Sequence, residues 1–207
     1  MTSPAGATLV CGAYLLGSVS FSYLVVKIKE GLDVRSVGSG NAGATNVLRA
    51  AGKGPALLAL LLDLIKGVAA VVGARALEAP PPVVGGAAFA VVLGHVFPVF
   101  LNFRGGKGVA TSAGALGALE PVAMLATLAV FVVVVLWKRY VSLGSIVAAL
   151  AFPLLVWTGH RLGWGGQGDL WIVAASGAIA ALIVFKHRSN LDRLRRGVEH
   201  RLGEKAA

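Results

Sequence analysis

PALLALLLDLIKGVAAVVGARAL, residues 55–77, decides the fold. Its only charges are Asp63, Lys66 and Arg75, and after Pro55 the rest is aliphatic or glycine. As a helix it would be roughly 34 Å long, enough to cross a hydrocarbon core roughly 30 Å thick. Asp63 and Lys66, three residues apart, share one helix face and can neutralise each other, a structural pairing.

The rest of the chain repeats this pattern. Further apolar segments fall at 6–26, 83–101, 108–119, 121–137, 143–159 and 169–185. The whole chain is 57% hydrophobic and only 14% charged, a balance that a soluble domain does not have. Lipid tolerates no unpaired backbone polar group, and the alternation of a barrel strand is absent, so all seven segments are read as helices. The expected fold is an all-α integral membrane protein with seven transmembrane helices. The fourth, 108–119, is short, either a thinned span or a re-entrant piece, with a crossing preferred. Residues 1–207 form one polytopic domain, with no repeat or long linker. Met1 to Thr8 lacks a basic stretch, so no cleavable signal is expected.

The basic residues set the orientation. Segments 27–53, 102–107, 138–142 and 186–207 hold sixteen of the nineteen Lys and Arg. By the positive-inside rule that side is cytoplasmic, and seven crossings then place the N-terminus outside and the C-terminus inside. The opposite-side connections, Glu78–Pro82, Glu120–Pro121 and His160–Asp169, are short and rich in Pro or Gly. The net charge of +10 is therefore topology information, and no nucleic acid is expected as a partner. A single cysteine, Cys11, excludes a disulfide framework and a thiolate metal cluster.

Polar chemistry collects on the basic side. DVRSVGSGNAGATNVLR, residues 33–49, places Gly38, Gly40 and Gly43 among Ser39, Asn41, Thr45 and Asn46. Such a stretch makes a tight turn whose amides and short side chains can converge on an anion, and Arg49 adds a forked cation suited to phosphate. GHVFPVFLNFRGGKGVAT, residues 94–111, opens an apolar segment with Gly105, Gly106, Lys107 and Gly108. Helix N-terminal amides and a lysine form a phosphate cradle, although the spacing of a nucleotide-binding P-loop is missing. His95 is read as a hydrogen-bonded helix-end residue. Ser142 and Ser145 open a later span, where helix capping accounts for them equally well. His187 and Asn190, in HRSNLDRLRRGVE at 187–199, would face the same way on a helix. His187 and Asp192 also match an HxxxxD dyad, but five residues apart on a helix they diverge by about 140°.

The strings GSGNAGATNVLR, GHVFPVFLNFRGGKGVAT, SLGSI and HRSNLDRLRRGVE resemble the membrane-integral, acyl-phosphate-dependent glycerol-3-phosphate acyltransferases, the PlsY family of bacteria. The likeness runs through all the basic-side segments in order. One departure is Ser18-Val-Ser-Phe, where such proteins usually carry a proline after the Gly-Ser. The resemblance implies transfer of a fatty acyl group from acyl phosphate to the 1-hydroxyl of glycerol-3-phosphate, giving lysophosphatidic acid and inorganic phosphate. It implies a multi-pass protein of the bacterial plasma (inner) membrane, in contact with membrane lipid, with its active site at the cytoplasmic face. No cofactor and no metal are expected, and a monomer is expected.

On that basis Lys107 with Gly105, Gly106 and Gly108 is assigned to phosphate binding, and Arg49 with Ser39 and Asn46 to glycerol-3-phosphate. Asn41, Thr45 and Arg188 are further substrate-binding candidates. Ser142, His187 and Asn190 complete the polar pocket, and with Lys107 and Ser39 they make up the catalytic candidates. The base is either His187 or the donor's own phosphate oxygen. A small transporter or channel for an organic phosphate is the alternative reading, since broken helices with glycine-rich anion sites serve that too.

Overall fold

The structure, a computed structural model, describes residues 4–163 and 170–204. Among these residues the regular structure is entirely helical, in two short 3-10 turns, Val34–Ser36 and Val99–Leu101, and ten α-helices: α1 Pro4–Ser18, α2 Phe21–Glu30, α3 Ala44–Ala51, α4 Lys53–Ala76, α5 Pro81–Val96, α6 Val109–Leu119, α7 Pro121–Lys138, α8 Val141–Arg161, α9 Leu170–Lys186 and α10 Arg188–Arg195. Five segments are long and apolar enough to cross a bilayer: Pro4–Glu30, Lys53–Ala76, Pro81–Leu101, Pro121–Lys138 and Val141–Arg161. A sixth is added if α9 and α10, bent by 55°, count as one. With 11 residues, α6 is only about 16 Å long, roughly half the hydrocarbon thickness.

Two expectations change. The segment 6–26 is two helices, because Val19 and Ser20 leave the helical path. Ser20 starts the second helix, its hydroxyl accepting from the Tyr23 amide at 3.4 Å. The stretch 33–49 is a turn only as far as Gly43; from Ala44 it is helical, so Arg49 stands on α3. The connection His160–Asp169 lies partly outside the described residues, which omit 164–169.

The helices group into two compact units, one ending at Ala118 and the other starting at Leu119. In the first, α5 is buried along most of its length between α1 and α4. Small residues permit the close approach that lipid-embedded helices need. A Cβ on Gly17 would strike the Val91 carbonyl, and one on Gly94 the Tyr14 carbonyl. The same fit joins α4 to α6, where Gly67 meets the Thr111 carbonyl and Gly114 the Leu64 carbonyl. Protein therefore surrounds α6: Thr111, Ser112, Ala115 and Leu116 are buried.

The break between α1 and α2 uncovers the carbonyls of Gly17 and Val19. The Lys66 ammonium donates to both, at 3.0 and 2.7 Å, and pairs with Asp63 at 2.9 Å. The expected Asp63–Lys66 pair is thus present, and it also seals a helix break.

In the second unit α7 and α9 flank α8. Leu125, Val133, Leu136 and Trp137 of α7 are exposed, an apolar face suited to lipid tails. Glu120, buried ahead of α7, accepts from His160 Nε2 at 3.2 Å.

Candidate active site

In the first unit the glycine turn is built around Asn46, which is 1% exposed. Its Oδ1 accepts from the Ser39 amide at 2.9 Å, and its Nδ2 donates to the carbonyls of Val34 (2.7 Å) and Val37 (3.0 Å). Gly38 has φ +57° and Gly40 φ +68°, the left-handed region where glycine avoids strain. A Cβ on Gly38 would also strike Asn46 Oδ1. Val34, Ala42 and Val47 anchor the turn in an apolar cluster with Val26, Ala56 and Ala59. Asn46 therefore acts by shaping the turn. Ser39, Thr45 and Arg49 are exposed on it, and Asn41 is half-buried.

A second tie comes from Arg35. Its guanidinium grips Asp33 (Nη2 to Oδ2, 2.7 Å) and donates to the Leu101 carbonyl at 3.0 Å, joining the first glycine segment to the second. That side-chain hydrogen bond, outweighing burial, holds the Asp33 carboxyl below the usual carboxylate range. An open concavity of about 560 Å³ is lined by Asp33, Arg35, Ser36, Gly40, Asn102 and Arg104.

The second segment packs directly on the first. A Cβ on Gly106 would strike His95 Nε2 and come within 2.6 Å of the Ala42 carbonyl; one on Gly105 would strike the His95 carbonyl. The amides of Gly105 and Gly106 donate inward, to Val96 O (3.3 Å) and His95 O (3.1 Å). This departs from the cradle expected of all four residues, because two of its amides serve the fold. Gly108 takes φ +85° and turns the chain into α6. Lys107, half-buried, stands between the two features.

The second unit gathers its polar residues on one carboxylate. Glu199 Oε1 accepts from Ser142 Oγ at 2.6 Å and Asn190 Nδ2 at 2.6 Å, while Oε2 accepts from Arg193 Nε at 2.7 Å. Burial raises the Glu199 pKa, but those three donors outweigh it and hold the carboxyl below its ordinary value. Sequence reasoning missed Glu199; the available signal was an acid within a tail otherwise rich in arginine.

His187 is 2% exposed, with Nδ1 2.8 Å from the Ile183 carbonyl. A carbonyl can only accept, so Nδ1 carries a proton, and whenever the ring is neutral its lone pair is on Nε2. Asp192 pairs instead with Arg196 at 2.7 Å on an exposed surface, so the HxxxxD match is incidental. Arg188 is exposed and stacks on Phe185, 4.7 Å from the ring centre.

This fold has solved counterparts. The crystal structure of PlsY (YgiH), an integral membrane glycerol 3-phosphate acyltransferase, in its glycerol 3-phosphate form matches with a TM-score of 0.87 and 41% identity over 96% of each chain. The lysophosphatidic acid form of PlsY (YgiH) matches with a TM-score of 0.84 and 39% identity, again over 96% of each. The fold and its solved counterparts define a membrane-integral acyltransferase. Residues 7–197 match the family model described as glycerol-3-phosphate acyltransferase. Proteins of that name from Thermus thermophilus and Geotalea daltonii are 50% and 46% identical, covering 93% of this chain in both cases and 93% and 95% of their own lengths. The chain belongs to the glycerol-3-phosphate acyltransferase family.

Proposed function

We propose that this protein transfers a fatty acyl group from an acyl phosphate to the 1-hydroxyl of glycerol-3-phosphate, releasing lysophosphatidic acid and inorganic phosphate. The observation that carries this reading is the contact of the two glycine segments, Gly106 against Ala42, in a chain of this family. Two phosphate-bearing substrates need two anion sites close together, and both segments have that composition.

An acyl phosphate is a mixed anhydride with a good leaving group, so the reaction needs no acyl-enzyme. The glycerol hydroxyl adds to the acyl carbonyl, the carbon–oxygen bond to phosphate breaks, and the hydroxyl proton goes to a base. The protein's tasks are positioning, charge neutralisation and proton removal. Lys107 and the first turn of α6 serve the donor phosphate. Arg49 and Ser39 hold glycerol-3-phosphate on the turn that Asn46 shapes, with Asn41 and Thr45 beside them. Arg188 is a further contact for an anionic group. His187, with its lone pair on Nε2, has the right tautomer for a base; a phosphate oxygen of the donor is the other candidate. Ser142 and Asn190 are held in place by Glu199.

The protein acts as one membrane domain, as a monomer in contact with membrane lipid, in the bacterial inner membrane. Its N-terminus is outside, and the basic segments and their chemistry face the cytoplasm. Seven crossings require α6 to traverse a locally thinned bilayer. The test is phosphate release by purified protein supplied with acyl phosphate. Release should depend on glycerol-3-phosphate and match lysophosphatidic acid formed one to one. Equal release without the acceptor, or equal acylation from a thioester donor, would refute the reading.

A further inference from the structure

Three ionisable groups meet inside the first unit: Asp63 and Lys66, each 2% exposed, and His95, 3% exposed. Asp63 and Lys66 already balance each other, and Lys66 also seals the α1–α2 break. Ser22 Oγ donates to the other carboxylate oxygen at 3.1 Å. Charge balance leaves no need for His95, yet its Nδ1 stands 3.5 Å from Asp63 Oδ1. The opposite edge of the same ring faces Gly106 so closely that a Cβ there would overlap Nε2. The His95 carbonyl holds the Gly106 amide at 3.1 Å as well. One planar side chain therefore runs from a buried carboxylate to the residue before Lys107.

We propose that Asp63 and His95 are positioning residues: the imidazole, oriented by the carboxylate, is a rigid strut that sets the height of the Gly105–Gly108 loop and thereby aims Lys107. The inference rests on the reading that this loop serves the donor phosphate. A flexible loop would lose the Lys107 contact in many of its conformers. A rigid support removes those conformers before substrate arrives, and misplacement by about 1 Å costs on the order of a hundredfold.

Two amide substitutions separate the ends of the ring. His95→Asn places a donor where Nδ1 stands and keeps the contact with Asp63, but ends short of Gly106. His95→Gln reaches to the Nε2 position and keeps the loop supported. Purified His95→Asn should lose about a hundredfold in kcat/KM with its unfolding midpoint close to that of the unaltered protein. His95→Gln should recover at least about tenfold of that loss. Wild-type activity in both variants overturns the strut. So does a loss equal in both and parallel to a fall in midpoint, or failure of both to fold, since either means that His95 only fills the core. Lys107→Ala, assayed alongside, separates the two levels. If it is inactive while both His95 variants are normal, the strut alone is wrong. If it turns over normally, the reading of the loop falls and takes the strut with it.

Discussion

Lys107 and Arg49 are both cations beside glycine turns, yet their chemistry differs. Lys107→Ala removes a point charge from the leaving phosphate, where negative charge grows as the bond breaks, so kcat should fall about a hundredfold or more. Arg49→Lys keeps the charge but loses the planar fork, and should chiefly raise the apparent KM for glycerol-3-phosphate. Steady-state kinetics with each substrate varied in turn checks both; a raised KM for acyl phosphate in Arg49→Lys would reverse the assignment. Glu199 bears on stability. Its folded pKa lies below the ordinary value of 4.5, so the stability it supplies is fully present above that value. That stability is lost as pH falls through the depressed folded pKa. Glu199→Gln should lower the unfolding midpoint at neutral pH, by an amount corresponding to about 1.5–3 kcal/mol, and flatten the acid limb of a midpoint-against-pH curve. Arg49, Lys107, His187 and Asn190 stood out in the sequence because each belongs to a dense polar string in an apolar chain. Glu199 did not, because its meaning comes from Ser142, 57 residues away, and from Asn190 and Arg193.

At the scale of the element, the glycines sort by what surrounds them. Gly106 has two neighbours where a Cβ would go, whereas Gly54, near the start of α4, has nothing within 4 Å. Gly106→Ala should displace the loop and cost on the order of a hundredfold in kcat/KM, while Gly54→Ala should leave the kinetics unchanged. Equal effects in the same assay would mean that the packing at Gly106 is irrelevant to turnover. Sequence composition located both glycine loops but could not tell that the Gly105 and Gly106 amides turn inward, since that direction is set by the carbonyls of His95 and Val96. The α1–α2 break was illegible for a related reason. Val19 and Ser20 carry no proline or glycine to stop a helix, and the donor that satisfies the freed carbonyls is a lysine far along the chain, on α4. Helix α3 was hidden because eight residues behind three glycines read locally as loop.

For the whole molecule, hydropathy was enough to reveal a helical membrane protein, because the cost of an unpaired peptide group in lipid leaves little else possible. The number of crossings was not legible, since α6 is apolar enough to cross but its neighbours decide whether it does. Single cysteines placed in a Cys11→Ala background should settle the orientation. Ala5 and Pro81 should react with an impermeant thiol reagent from outside, and Lys53 and Arg139 only after the membrane is opened; the positions at Gly165 and Ala207 would extend the test beyond the described residues. Labelling of a cysteine at Ser39 and one at Arg104 from opposite sides would end the reading of one cytoplasmic face. The partnership of Lys66 with the carbonyls of Gly17 and Val19 also has a consequence for biogenesis. Asp63 and Lys66 lie three residues apart on one helix, so they can pair as soon as α4 forms, whereas the N-terminal segment is made before the lysine that serves its carbonyls. It must wait beside water or the insertion machinery until α4 is made. Ribosome-bound chains arrested before Lys66 should therefore leave a cysteine at Ser20 open to a small thiol reagent, and chains arrested well past α4 should not.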